Sequence, residues 1–109
     1  MTMARSAGER AKAFGVIRSS AHPQDDESVI RRTAERIGFE LTDVFIPNVQ
    51  TFDLAIWLLE RVERYDVDAI VLARLEDLDA TRRDAILKRC ALITPVWILP
   101  RSAARGWNG

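Results

Sequence analysis

KAFGVIRSSAHPQDDESVIRRTAERIGFELTDVFI, residues 12–46, is the stretch that decides the fold. Lys12–Ser20 opens with a short apolar core, Ala13–Ile17, and then turns polar, the way a buried strand ends at a functional edge. Ala21, His22 and Pro23 interrupt it, because proline biases its predecessor away from helix. A helix is predicted over Asp25–Ile37. Asp25, Asp26 and Glu27 favour its positive end, while Val29, Ile30, Ala34 and Ile37 share one face, and Gly38 supplies the C-cap. Glu40–Ile46 then reads as a second strand, stopped by Pro47 and Asn48.

Working outward, a second helix is expected from about Phe52 to Tyr65. Its apolar stripe, Phe52 to Val62, is wider than one sheet face requires, so it is buried on two sides or meets a partner. Ala69–Ala73, AIVLA, is the best central strand, with Arg74–Leu78 as its exit loop. Asp79 is placed to cap a third helix, Ala80–Cys90, and Thr94–Leu99 reads as the last strand with Pro95 at its start. The order β-α-β-α-β-α-β implies right-handed crossovers and an α/β three-layer sandwich with a mainly parallel four-stranded sheet. Residues 12–100 form that domain, with residues 1–11 and 101–109 expected as flexible ends. Function belongs at the carboxyl ends of the strands, in the loops at 18–24, 47–51 and 74–79.

The whole sequence is 109 residues long and 48% hydrophobic, enough for one domain with a real core. Sixteen basic and sixteen acidic residues cancel, which gives no general argument for nucleic-acid or membrane binding. The charge is unevenly distributed. Residues 41–81 hold nine acidic and three basic residues, a net of −6, whereas residues 82–109 hold six basic and one acidic, a net of +5. Neither a secretion signal nor an apolar run approaching a membrane span is visible, so a cytoplasmic location is expected. The single cysteine, Cys90, excludes an intramolecular disulfide and multi-cysteine metal sites, and its apolar neighbours point to a buried thiol.

The loop after the first strand lacks G-x-G-x-x-G, and no Walker lysine motif exists, so dinucleotide and P-loop chemistry fall away. What the loop does hold is Arg18, Ser19, Ser20, His22 and Gln24. A guanidinium fork beside a serine hydroxyl suits phosphate, although the same serines can simply cap the following helix. His22 is the only histidine, which argues against a metal role. Glu76, Asp77 and Asp79 could hold Mg²⁺ for phosphoester hydrolysis, or be a solvated loop and a helix cap. Arg82, Arg83, Lys88 and Arg89 could meet DNA phosphates, with a solvated face as the ordinary alternative.

In GVIRSSAHPQ and IVLARLEDLDATRR, and in the order of elements across about residues 12–100, the chain resembles the catalytic domain of the serine recombinases, the resolvase and invertase family. That family has a strand ending Y-x-R-V-S-T with a glutamine four residues past the serine, which places Arg18, Ser20 and Gln24 on its arginine, nucleophile and glutamine. The resemblance implies a serine that attacks a DNA phosphodiester without metal, forming a 5′-phosphoseryl link while several arginines neutralise the phosphate. The family's L-D-R-L-G-R, however, reads L-E-D-L-D-A here. Glu76 replaces its aspartate, Asp77 its first arginine and Ala80 its last. Its aspartate after the second strand falls near Pro47, and PNVQTFD offers no match for the arginine that follows. A separate DNA-recognition domain is also expected to be lacking.

The resemblance with these departures implies a catalytically degenerate domain acting through a homo-oligomer or another protein, in a DNA-related process, with DNA itself a weak partner and no membrane, cofactor or metal. The Phe52–Val62 helix is the expected contact surface, where Leu58→Asp would dissociate the complex. Three alternatives stand beside it. One is an active minimal recombinase or nicking enzyme, with Ser20 as nucleophile, Arg18 gripping phosphate, and Gln24 and Arg82 assisting. The second is a Mg²⁺-dependent phosphoesterase on Glu76, Asp77 and Asp79. The third is small-molecule binding at the strand-end crevice.

Overall fold

The computed structural model describes residues 10–18, 21–48 and 53–102. Its elements are β1 (Lys12–Val16), α1 (Pro23–Ile37), β2 (Glu40–Phe45), α2 (Leu54–Tyr65), β3 (Ala69–Leu72), a single 3₁₀ turn (Leu75–Asp77), α3 (Ala80–Leu87), β4 (Ala91–Ile93) and β5 (Ile98–Leu99). The five strands form one sheet in the order β2-β1-β3-β4-β5, parallel except for the antiparallel β5. The expected mainly parallel α/β architecture is therefore present, with five strands instead of four.

The difference lies at the C-terminal end. α3 stops at Leu87, where the Arg89 and Cys90 N–H groups both donate to the Ile86 carbonyl, and the three residues Ala91–Ile93 become β4. So short an apolar run directly after a helix carries no periodicity of its own. Pro95 does not start a strand. It lies in a turn closed by Thr94, whose N–H donates to the Trp97 carbonyl (2.8 Å) and whose Oγ1 accepts from the Trp97 N–H (2.9 Å). Only Ile98 and Leu99 then pair back onto β4.

Strand alternation divides the core. Phe14, Val16, Ile70, Leu72 and Leu92 meet Leu54, Leu58 and Val62 of α2 and Ile86 of α3 on one face. Ala13, Ile17, Ala69, Val71 and Ile93 meet Ile30 and Ala34 of α1 on the other. Gly15 sets how closely α1 lies on the sheet: a Cβ there would stand 2.5 Å from Ile30 Cγ2. α1 starts at Pro23, two residues earlier than the charge pattern predicts, because proline suits the first helical position. It ends at Gly38, whose φ of 84° is the left-handed conformation expected of a C-cap glycine. No helix among the described residues is long and apolar enough to cross a membrane.

The apolar stripe of α2 is turned mostly inward. Leu54, Leu58 and Val62 are buried, and Leu58 is fully so. Trp57 stacks edge-on to Phe45 (ring centroids 5.6 Å apart) with the Arg61 guanidinium 3.8 Å from its own ring centre. Ile56 is open, at 71% exposure, and Phe52 lies outside the described residues. The width of the stripe is explained by packing against the sheet, Phe45 and α3, so Leu58→Asp reports on the core and not on a docking face.

Candidate functional site

α1 lies on the face opposite α2 and α3, so the chain reverses its winding between β1 and β3. In such sheets the crevice at the carboxyl ends of the two strands is the natural binding place. Register pairs Val16 with Leu72, which puts Arg18 and Arg74 at the same edge.

The centre of this edge is an ion-pair cluster. Arg74 makes a bidentate contact with Asp26, Nη1 to Oδ1 at 3.2 Å and Nη2 to Oδ2 at 2.8 Å, and its Nε lies 3.4 Å from Asp77 Oδ1. Asp26 is buried in the first turn of α1, and the Asp77 side chain is 10% exposed in the 3₁₀ turn. The hydrogen bond to Asp26 raises the Arg74 pKa further above its ordinary value. Burial pushes the Asp77 carboxyl up, against the opposing pull of the Arg74 charge, and its Oδ2 is buried without a hydrogen-bond partner. The cluster ties the start of α1 to the β3–α3 loop.

The residues singled out from sequence are distributed around this cluster. Ser20 and Ser19 lie outside the described residues. Arg18 is half-buried just past β1, and its Nε is buried with no hydrogen-bond partner. Gln24 is exposed in the first turn of α1. The His22 carbonyl accepts from the Asp25 and Asp26 N–H groups, so its backbone begins the helix.

Arg82 is paired with Asp79, and Asp79 Oδ1 accepts the Arg82 N–H at 2.9 Å as the expected cap of α3. That N–H holds the Asp79 carboxyl below its usual range. Arg83 donates to the carbonyls of Leu75 (3.3 Å) and Leu78, and Arg89 pairs with Glu63. Arg82, Arg83 and Arg89 are therefore each engaged in a separate local contact.

Glu76 is exposed, Asp77 is half-buried and paired with Arg74, Asp79 is committed to its cap, and no group of three possible metal ligands occurs among the described residues. Cys90 is buried at 1% exposure, and its thiol is pushed up to about 12 by burial, which keeps it protonated and unreactive.

Sequence reasoning missed Asp26 and Arg74 as a pair. They stand 48 positions apart, and nothing in the run Asp25-Asp26-Glu27 marks the middle residue as the buried one. Register could have raised the possibility, since the loop after β3 must meet the start of α1 at the winding reversal. Comparison of the chain with protein-family models, with curated proteins and with solved structures finds no match.

Proposed function

We propose that this chain is a catalytically degenerate resolvase-like domain that works through association with a second copy or with another protein. The observation that carries this reading is the engagement of Arg74 by two carboxylates, Asp26 and Asp77. Metal-free attack on a phosphodiester needs guanidinium groups free to neutralise the phosphate. At this strand end Arg74 and Arg82 are held by carboxylates and Arg83 by main-chain carbonyls. Asp77 adds repulsion where the resemblance calls for an arginine. A phosphate approaching Arg74 has to displace a carboxylate before that guanidinium stabilises it.

Arg18 supports the second reading, an active minimal recombinase or nicking enzyme. Its buried, unpartnered Nε is a donor held ready beside the position of Ser20 in the chain. The two readings separate on one experiment. Incubation with supercoiled and pre-nicked DNA, followed by a denaturing gel, is expected to give no covalent protein–DNA adduct. An adduct that disappears in Ser20→Ala would overturn the degenerate reading in favour of the active one.

A further inference from the structure

β3 and β4 are adjacent and parallel, so the segments that follow them leave the sheet at the same edge. Ala73–Glu76 follows β3 and Thr94–Trp97 follows β4. Both line a cleft of about 330 Å³ that Arg83 of α3 also borders. The carboxyl edge of a parallel sheet is where small-molecule sites collect, and this volume lies at the lower end of their range.

The walls of the cleft are held by contacts of their own. Thr94 is 2% exposed, and its Oγ1 accepts the N–H groups of Val96 (3.3 Å) and Trp97 (2.9 Å). The Trp97 backbone is thereby fixed, yet the residue stays 56% exposed. Arg74 also borders the cleft, with its donors already on Asp26 and Asp77. Arg83 is different. Its Nη1 is anchored on the Leu75 and Leu78 carbonyls, whereas Nε and Nη2 have no hydrogen-bond partner among the described residues. Those two nitrogens form the side-on fork of a guanidinium. The Asp79 charge that Arg83 feels is already paired with Arg82.

One cleft thus gathers an exposed indole, a guanidinium with an unspent fork, and the exposed carboxylate of Glu76. An indole offers a stacking surface to a planar ring. The fork matches two oxygens of one phosphate. A carboxylate only accepts hydrogen bonds, so Glu76 calls for an N–H donor and repels an anion set beside it. The matching ligand carries a flat ring with a donor at one end and an anion at the other. A nucleoside monophosphate with an amino-bearing base joins all three features, whereas bare phosphate answers only Arg83.

We propose that this cleft binds such a nucleotide, its base stacked on Trp97 and donating to Glu76, its phosphate on Nε and Nη2 of Arg83. The inference goes beyond the association reading and does not depend on it. One free guanidinium edge can hold a phosphate, but metal-free attack on a phosphodiester needs several.

The test titrates AMP into the ¹⁵N-labelled full chain at about 50 mM salt, where surface charge is weakly screened. AMP is expected to shift the amides of residues 73–76, 83 and 94–97 and the Trp97 indole N–H, with a Kd of about 1 mM or below. Purine riboside monophosphate, which lacks the amino group, should bind several-fold more weakly, and Glu76→Ala should erase that difference. Trp97→Leu should weaken AMP about tenfold. Arg83→Lys keeps the charge without the fork and should weaken it at least about fivefold. Spectral dispersion verifies that each variant is folded.

A short single-stranded oligo-dA distinguishes the source of the nucleotide. Shifts of the same resonances at lower concentration than AMP would place it in a DNA strand, and no gain over AMP would make it a free nucleotide. Four results would overturn the proposal: no shifts at about 10 mM AMP, well above the expected Kd; the same shifts from inorganic phosphate alone; equal binding of AMP and purine riboside monophosphate; or undiminished AMP binding by folded Trp97→Leu. The adduct assay above reads the chemistry of Ser20, so the two experiments fail or succeed independently.

Discussion

The two faces of this sheet obey the same packing rules and arrive at different degrees of closure. On the α2–α3 face, Leu92 is fully buried and its cross-strand partner Leu99 packs against the same core, so cover reaches the edge strand. On the α1 face the corresponding pair, Ile93 and Ile98, is split between core and solvent. The number of crossover connections on each face sets this difference: one passes over the α1 face and two over the other. Apolar side chains are left exposed here by topology, in a chain with ample hydrophobic residues.

The comparison breaks first at Leu58. If the fully covered face is the structural one, Leu58→Asp buries an unpaired charge in the core and should abolish cooperative folding, a loss of about 4–5 kcal/mol or more, visible as lost ellipticity and a vanished thermal transition. A folded monomeric variant would instead restore α2 as a docking face. On the α1 face, Gly15→Ala should cost about 1–3 kcal/mol in urea unfolding, since the new methyl forces Ile30 away. Asp26→Ala should cost about 1–2 kcal/mol, because the half-exposed Arg74 recovers water for part of what it loses.

Asp77→Asn sharpens the contrast through pH. Folding raises the Asp77 pKa, so its contribution is present below the ordinary carboxylate value of 3.8 and is lost as pH rises through the folded value. The variant is therefore expected to melt higher than the parent at pH 7, with the gap closing on acidification to below that value. A gap that widens with acid would contradict the assignment. The smallest effect belongs to the open edge: Ile98→Ser should change stability by no more than about 0.5 kcal/mol, as expected of a surface position.

Much of this was legible in the residues. Gly38, Asp79 and the apolar run Ala69–Leu72 act through local conformation, so a helix end, a cap and a central strand follow directly from the letters. The division between Asp25 and Asp26, one exposed and one buried, depends on a loop 48 positions away and leaves no local mark. β4 was obscured for a different reason: three residues are too few for any period to show. The stripe on α2 was visible, but its width alone could not distinguish a partner from Phe45, which fills that role within the chain.

Strand order has a consequence for how the molecule is made. β1 lies between β2 and β3, and its partner residues in β3, such as Ala69 opposite Ala13, are encoded 56 positions later. During synthesis the first βαβ unit emerges with one edge of β1 unpaired and with Phe14 and Val16 bare, and it stays so until α2 and β3 leave the ribosome. A ribosome pausing within that interval would hold out an unpaired strand and two uncovered apolar side chains. The interval between the emergence of β2 and that of β3 is thus one in which chaperone capture bears on the yield of folded protein.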